Sequence, residues 1–265
     1  LVFPGGDIGT LAVAGTVNDL AMSGARPLFL SCAMVIEEGL PVELLRRIVA
    51  SMQRTALEAG VCIVTGDTKV VERGAADKLF INTAGVGVVP GFASISASHA
   101  RPGDAVIVSG TLGDHGMAIM ARREGLAFES GIRSDTAALH GLVESALAAV
   151  PGLRVLRDPT RGGLAATLNE IARQSGVGIV LDEMALPVDP QVAAACEFLG
   201  LDPLHIANEG KLIAVVAPEA ADAVLAAMRA HPLGLDAVRI GEVTTDPHHF
   251  VQMVTRFGGR RVVDW

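Results

Sequence analysis

The stretch TLAVAGTVNDLAMSGARPLFLSCAMVI, residues 10–36, decides the fold class. Its first half mixes Leu, Ala, Val and Met at helical spacing, and Gly24 is a typical helix stop. Pro27 cannot continue a helix, and the apolar run 28–36 after it has the composition of a buried strand. A helix that leads directly into a buried strand predicts a sheet covered by helices.

Helical and extended patterns alternate along the rest of the chain. We predict helices at 41–59, 114–123, 136–150, 163–174 and 219–230, and strands at 61–64, 79–89, 105–109, 177–181, 211–216, 237–243 and 250–256. The last strands pair like hairpins, so the predicted class is α/β or α+β with mixed sheets. Turn formers and small residues are concentrated in 90–104, which predicts two domains, 1–97 and 98–265.

Composition excludes several classes of protein. Half of the 265 residues are apolar, but no uncharged apolar stretch of about 18 residues and no signal-like start occurs, so we expect a soluble cytoplasmic protein without a membrane partner. The net charge is −8 and no basic stripe is interleaved with aromatics, which argues against a nucleic-acid partner. Cys32, Cys62 and Cys196 lie far apart in apolar surroundings, and we expect buried, reduced thiols.

Asn18 and Asp19 are polar residues inside the otherwise apolar first helix. An ionised Asp in such a helix is costly unless it is paired, coordinated or facing water. Asp19 therefore indicates either a ligand site or a helix face that is open to solvent.

Thr65-Gly66-Asp67-Thr68-Lys69 follows a predicted strand. The carboxyl ends of strands are where α/β proteins place ligands. Gly lets backbone N–H groups approach a phosphate, Asp can hold Mg²⁺, and Lys supplies a point charge. A plain polar turn is the alternative.

The segment from Asp158 to Gly163, DPTRGG, precedes a predicted helix. Its two glycines at a helix start indicate free N–H groups and an anion site. Asp158 or Thr160 could equally be an ordinary helix cap.

These three segments together suit ATP, which needs both metal-binding carboxylates and N–H donors. A Walker A loop and the protein-kinase signatures are absent, so the nucleotide site must be of another design. Glu209, in the turn NEGK that starts at Asn208, is either a general base or a solvated turn residue.

The motifs in combination resemble the aminoimidazole-ribonucleotide-synthetase (PurM-like) superfamily. Within it, they are most similar to the carbamoyl dehydratases of nickel–iron hydrogenase maturation. The resemblance extends over nearly the whole chain and rests on these motifs: FPGGDIG from Phe3, GTVNDLAMSGARP from Gly15, TGDTKVV from Thr65, DPTRGG from Asp158 and NEGK from Asn208.

That resemblance implies a two-domain fold, with an N-terminal mixed-sheet domain that forms a homodimer and a C-terminal α/β domain. ATP and Mg²⁺ are the implied cofactors, bound between the domains near the dimer interface. The implied reaction uses ATP to dehydrate an S-carboxamide on a C-terminal cysteine to a thiocyanate, which supplies cyanide for the hydrogenase iron. The carbamoyltransferase HypF and the HypC–HypD complex are the implied partners.

The resemblance also implies roles for particular residues. Glu209 is the expected base for the amide nitrogen, and Lys69 the expected partner of the developing charge. Asp19 and Asp67 are the expected Mg²⁺ ligands. The expected nucleotide-binding residues are Asn18, Asp19, Gly66, Asp67, Thr68, Asp158, Thr160, Gly162 and Gly163.

The chain departs from the family pattern at both ends. The glycine-rich lead with a metal-binding strand and the cysteine-bearing tail of the family are absent from the sequence, because they are either disordered and omitted or truncated. Cys32, Cys62 and Cys196 are internal and cannot replace the tail cysteine, so we expect this chain to bind ATP but not to complete a turnover by itself. A kinase of the thiamine-monophosphate type is the rival enzyme, and a non-catalytic maturation scaffold is the rival outside enzymes.

Overall fold

A computed structural model describes residues 1–123 and 131–265, and in the first part of the chain two helices cover a sheet of three strands. The first helix begins where Asp7 accepts hydrogen bonds from the N–H groups of Gly9 and Thr10, at 2.9 and 3.1 Å. The elements are β1 Val2–Phe3, β2 Gly6–Asp7, α1 Ile8–Met22, β3 Arg26–Glu37, α2 Val42–Glu58, β4 Cys62–Val71 and β5 Leu79–Val88.

The sheet has the order β4-β3-β5, with β3 parallel to β4 and antiparallel to β5. Helices α1 and α2 bury one face, where Val13, Leu30 and Met52 belong to a common apolar core. The other face stays open, and the exposed fractions of Phe80 and Val86 are 53% and 63%. A sheet with one apolar face uncovered is a candidate surface for association.

Strand β4 corrects the prediction that the strand ends at residue 64, with residues 65–69 following its C-terminal end. The structure continues the strand through Gly66 and Asp67 to Val71, because parallel pairing with β3 extends that far. Gly66 makes this possible, since a Cβ there would lie 1.9 Å from the Cys32 carbonyl oxygen.

The cysteine prediction is partly wrong. Cys196 is buried, but Cys32 is only half-buried and Cys62 is exposed at the start of the edge strand β4. The three thiols are free.

The second part of the described chain forms a mixed sheet of seven strands in the order β12-β11-β8-β10-β6-β9-β7. Strands β8 and β11 run parallel, and the other neighbours run antiparallel. The elements are β6 Ala105–Val108, α3 Asp114–Arg123, α4 His140–Ala149, β7 Val155–Arg157, α5 Gly163–Ser175, β8 Gly178–Asp182, α6 Pro190–Leu199, β9 Ile213–Val216, α7 Ala221–Arg229, β10 Val238–Thr244, β11 Val251–Val254 and β12 Arg260–Val262.

Apolar cores lie on both faces of this sheet. Helix α5 packs on one face, and α4 and α7 pack on the other. Ala21 and Met22, at the end of α1, belong to the second core, so the first part of the chain is docked against the second. The mixed α/β class predicted from the sequence is confirmed.

None of the helices in the described residues is long and apolar enough to cross a lipid bilayer.

Candidate functional site

A polar cavity of about 530 Å³ lies between the end of α1 and the start of α5. Asp19 of α1 and Asp158 and Thr160 of the β7–α5 loop line it, as the sequence predicts for a shared site. Arg157 and Arg161 line it as well, so the cavity offers carboxylates, a hydroxyl and cations together. Its size is within the usual range for small-molecule sites.

The two carboxyl groups of the cavity influence each other. Burial raises the pKa of Asp158, and the nearby charge of Asp19 raises it further. Burial likewise raises the pKa of Asp19, while the Arg157 guanidinium opposes this. Because the charged forms of both carboxyl groups are disfavoured by burial, a cation bound between them would be stabilising.

Glu209 belongs to the same electrostatic cluster. Burial raises its pKa to about 7, with further contributions from the charges of Asp135, Asp158 and Asp19, in that order. The Arg161 guanidinium acts in the opposite direction. A carboxyl group whose pKa lies near neutrality is suited to take and give a proton under physiological conditions.

Asn18 is buried, and its amide is used for contacts within the chain. The amide nitrogen donates to the carbonyl oxygens of Ala137 and Glu209, at 3.0 and 3.4 Å, and the amide oxygen accepts from the N–H of Leu139 at 2.7 Å. Asn18 therefore joins α1 to the segment before α4 and to the backbone of Glu209, and its contact with nucleotide stays a prediction.

Asn208, the first residue of the NEGK motif, is a site residue whose role the sequence pattern does not indicate. Its side chain is fully buried; it accepts from the N–H of Gly113 at 2.7 Å and donates to the carbonyl of Pro159 at 3.0 Å. It thereby ties the loops after β6 and β7 to the segment that carries Glu209.

The glycines at the start of α5 allow close packing. The N–H of Gly163 donates to the Thr160 carbonyl at 2.9 Å. The prediction that this N–H group is free is therefore wrong. A Cβ on Gly163 would lie 2.6 Å from the Leu204 carbonyl oxygen, and one on Gly162 would lie 2.3 Å from the Trp265 ring. Phosphate binding by these two residues stays a prediction.

The predicted site residues of β4 do not line this polar cavity. Gly66, Asp67 and Thr68 line a separate, larger cavity of about 910 Å³ beside α2, and Lys69 is exposed farther along the same strand. The Asp67 carboxylate accepts from the N–H of Thr68 at 2.8 Å. Within residues 1–123 and 131–265, no three His, Cys, Asp or Glu side chains are grouped to hold a metal ion.

Two family models match the chain in succession. The N-terminal domain of AIR synthase related protein matches residues 1–89, and the C-terminal domain of the same family matches residues 101–254.

Individual proteins are similar over the full chain. The carbamoyl dehydratase HypE of Cupriavidus necator is 66% identical over 265 residues, which are 100% of this chain and 76% of that protein. HypE in the crystal structure of a HypE–HypF complex superposes with a TM-score of 0.97 at 54% identity, over 100% of this chain and 86% of that one. A crystal structure of HypE in complex with ATP gives a TM-score of 0.96 at 53% identity, over 99% and 80%.

Proposed function

The chain belongs to the HypE family of carbamoyl dehydratases, within the AIR synthase related (PurM-like) superfamily, and from this membership we propose its reaction. It uses ATP to dehydrate a protein-bound S-carboxamide on a C-terminal cysteine to a thiocyanate. The product supplies cyanide for the iron of a nickel–iron hydrogenase. The observation that carries the proposal is Glu209, a carboxyl group with a pKa of about 7 beside a cavity of carboxylates and cations.

The residues of the cavity suit a nucleotide. The relative whose structure contains ATP supports binding of ATP by this chain. Asp19 would hold the phosphates through Mg²⁺ and Thr160 through its hydroxyl, Asp158 would complete the nucleotide site, and Arg157 and Arg161 would balance the phosphate charge. When bound, ATP supplies the phosphoryl group that turns the carbamoyl oxygen into a leaving group.

Glu209 provides the proton chemistry. Loss of both amide protons converts the carbamoyl carbon and nitrogen into a nitrile: one proton would pass to Glu209, and the other would leave with the departing phosphate. Glu209 is ionised in a substantial fraction of molecules near neutral pH and can accept a proton from that nitrogen. Lys69 would stabilise the negative charge that develops on the departing oxygens.

A pair of chains would bring β4 to the cavity. Asp67 and Lys69 lie on an exposed edge strand, beside a sheet face whose apolar side chains Phe80 and Val86 are uncovered. Packing of that face against a second copy would bury it, and we propose that the same pairing brings Asp67 to the Asp19 cavity of the second copy. We therefore assign Mg²⁺ binding to Asp19 and Asp67 within a homodimer.

HypF is the expected donor of the carbamoyl group, and the relative solved with HypF supports this partner. The HypC–HypD complex as recipient of the cyanide, and the cytoplasm as the location, stay predictions from the sequence. The high identity with carbamoyl dehydratases favours this reaction over a thiamine-monophosphate kinase or a non-catalytic scaffold.

The test is mass spectrometry of a peptide that ends in S-carbamoyl cysteine, incubated with the chain, ATP and Mg²⁺. We expect the peptide to lose the mass of one water, and only with ATP. Glu209→Gln should slow that loss by about 100-fold or more, while Glu219→Gln, on an exposed short helix, should not change it. Phosphorylation of thiamine monophosphate without dehydration would favour the kinase, and no heat of ATP binding in calorimetry would favour the scaffold.

A further inference from the structure

Asp135 is a buried carboxylate that no part of the proposed reaction has used. Its side chain is 3% exposed, and it lies in the segment before α4. One carboxylate oxygen accepts from the backbone N–H of Glu209 at 3.1 Å. The other accepts from the Lys211 ammonium at 3.2 Å.

Three consecutive residues of the Glu209 segment contact Asp135. Between Glu209 and Lys211, Gly210 approaches so closely that a Cβ there would lie 1.7 Å from the Asp135 carbonyl oxygen. The Glu209 carbonyl accepts from the Asn18 amide and the Ala137 N–H, both at 3.4 Å. Both polar groups of the Glu209 backbone are therefore fixed, and Asp135 fixes the N–H.

Lys211 keeps the Asp135 carboxylate in place. Its ammonium lies 3.2 Å from Asp135 and 3.7 Å from a carboxylate oxygen of Asp114, and its side chain is 13% exposed. A carboxylate that accepts from an ammonium group and from a backbone N–H is held in a fixed orientation by these charge-assisted hydrogen bonds. Asp114 shares the cation but makes no contact with Glu209 among these interactions.

We propose that Asp135 is the positioning residue of the reaction: its carboxylate holds the Glu209 backbone in place, and its negative charge faces the Glu209 side chain. The inference rests on the proposed function in which Glu209 is the base.

The charged groups that face Glu209 come from three elements. Asp135 approaches from the segment before α4, Asp158 and Arg161 from the β7–α5 loop, and Asp19 from α1. After burial, Asp135 contributes most to the raised pKa of Glu209. Its removal should therefore lower that pKa, whereas the other groups stay.

The experiment is a carbon-13 NMR titration of the glutamate carboxyl groups, with the Glu209 signal identified by its disappearance in Glu209→Gln. Asp135→Asn keeps an oxygen that can accept from the Glu209 N–H but removes the charge. We expect the Glu209 midpoint, about 7 in the unaltered chain, to move to lower pH in Asp135→Asn. The matched control Asp114→Asn removes the other carboxylate on Lys211 and should leave the midpoint unchanged.

An unchanged midpoint in Asp135→Asn, or an equal change in Asp114→Asn, would overturn the inference. If circular dichroism shows that Asp135→Asn does not fold, Asp135→Ser replaces it: loss of the negative charge should again move the Glu209 midpoint to lower pH, and no movement would overturn the inference. The acid limb of the pH–rate profile for dehydration should move in the same direction as the Glu209 midpoint in each variant. Full dehydration by Glu209→Gln would instead refute the role of Glu209 and leave the titration result standing.

Discussion

The proposed base Glu209 needs a pKa near neutrality for its chemistry, and the burial that raises this pKa lowers the stability of the folded chain. Because its pKa is about 7, the folded chain keeps a proton between pH 4.5 and pH 7 that an ordinary glutamate, with a pKa of 4.5, has lost. Burial beside other carboxylates produces this state, and burial of a charge is what folded proteins generally avoid. Functional sites often retain such groups at the expense of stability.

Stability should therefore fall as the pH rises from about 4.5 to about 7, because over that interval the unfolded chain has released the Glu209 proton and the folded chain has not. The expected loss from this residue is roughly 3 kcal/mol, at about 1.4 kcal/mol for each pKa unit. Urea unfolding of the unaltered chain and Glu209→Gln at pH 5 and pH 8 measures it. At pH 8 the free energy of unfolding of the variant should rise relative to that of the unaltered chain. An equal difference between the two proteins at both pH values would contradict the raised pKa.

The residues that line the cavity could be predicted in part. Asp19, Asp158 and Thr160 stand out because polar residues interrupt apolar or glycine-rich patterns, and the structure brings them together. The contacts of Asn18 could not be predicted, since its partners Ala137 and Leu139 lie 119 and 121 residues away. Local patterns carry no information about such pairs.

At the scale of elements, strand β4 shows where local patterns mislead. Gly66 and Asp67 have the composition of a turn, yet they continue a strand because β3 provides hydrogen bonds up to Val71. Helix α6, Pro190–Leu199, was missed although Asp189 caps it and Pro190 occupies its first turn. Strands β7 and β12 have three residues each and depend on their neighbours in the sheet.

Gly66→Ala tests the close approach of β4 to β3. Because the added Cβ would lie 1.9 Å from the Cys32 carbonyl oxygen, the strands must separate. We expect the free energy of unfolding to fall by about 1–3 kcal/mol, measured by urea unfolding at one fixed protein concentration. Gly91→Ala, where a Cβ would meet nothing within 4 Å, is the matched control. Equal stability of both variants would show that the strands tolerate separation.

At the scale of the whole molecule, the open sheet face is the main unexplained surface of the described chain. The exposed apolar side chains Phe29, Phe80 and Val86 come from its strands β3 and β5. A monomer would expose this face to water, whereas a two-fold pair would bury it twice.

Charges on this face should dissociate the pair. We expect the unaltered chain to sediment as a dimer and the double variant Phe80→Lys, Val86→Lys to sediment as a monomer, because two apolar side chains at the interface become charged. Leu235→Lys, at a comparably exposed position on a turn of the second part of the chain, should remain a dimer. A dimeric double variant would exclude this face as the interface.

The central claim is that distant segments of two chains act on one ATP molecule. Asp67→Asn and Glu209→Gln should each slow dehydration by about 100-fold or more when present in both protomers. Co-expression of the two variants tests the claim most directly, with dehydration of the S-carbamoyl peptide as the readout. Random pairing should restore about a quarter of the original activity, because half of the dimers then contain one intact site. A mixture as inactive as its two components would contradict a site shared between protomers.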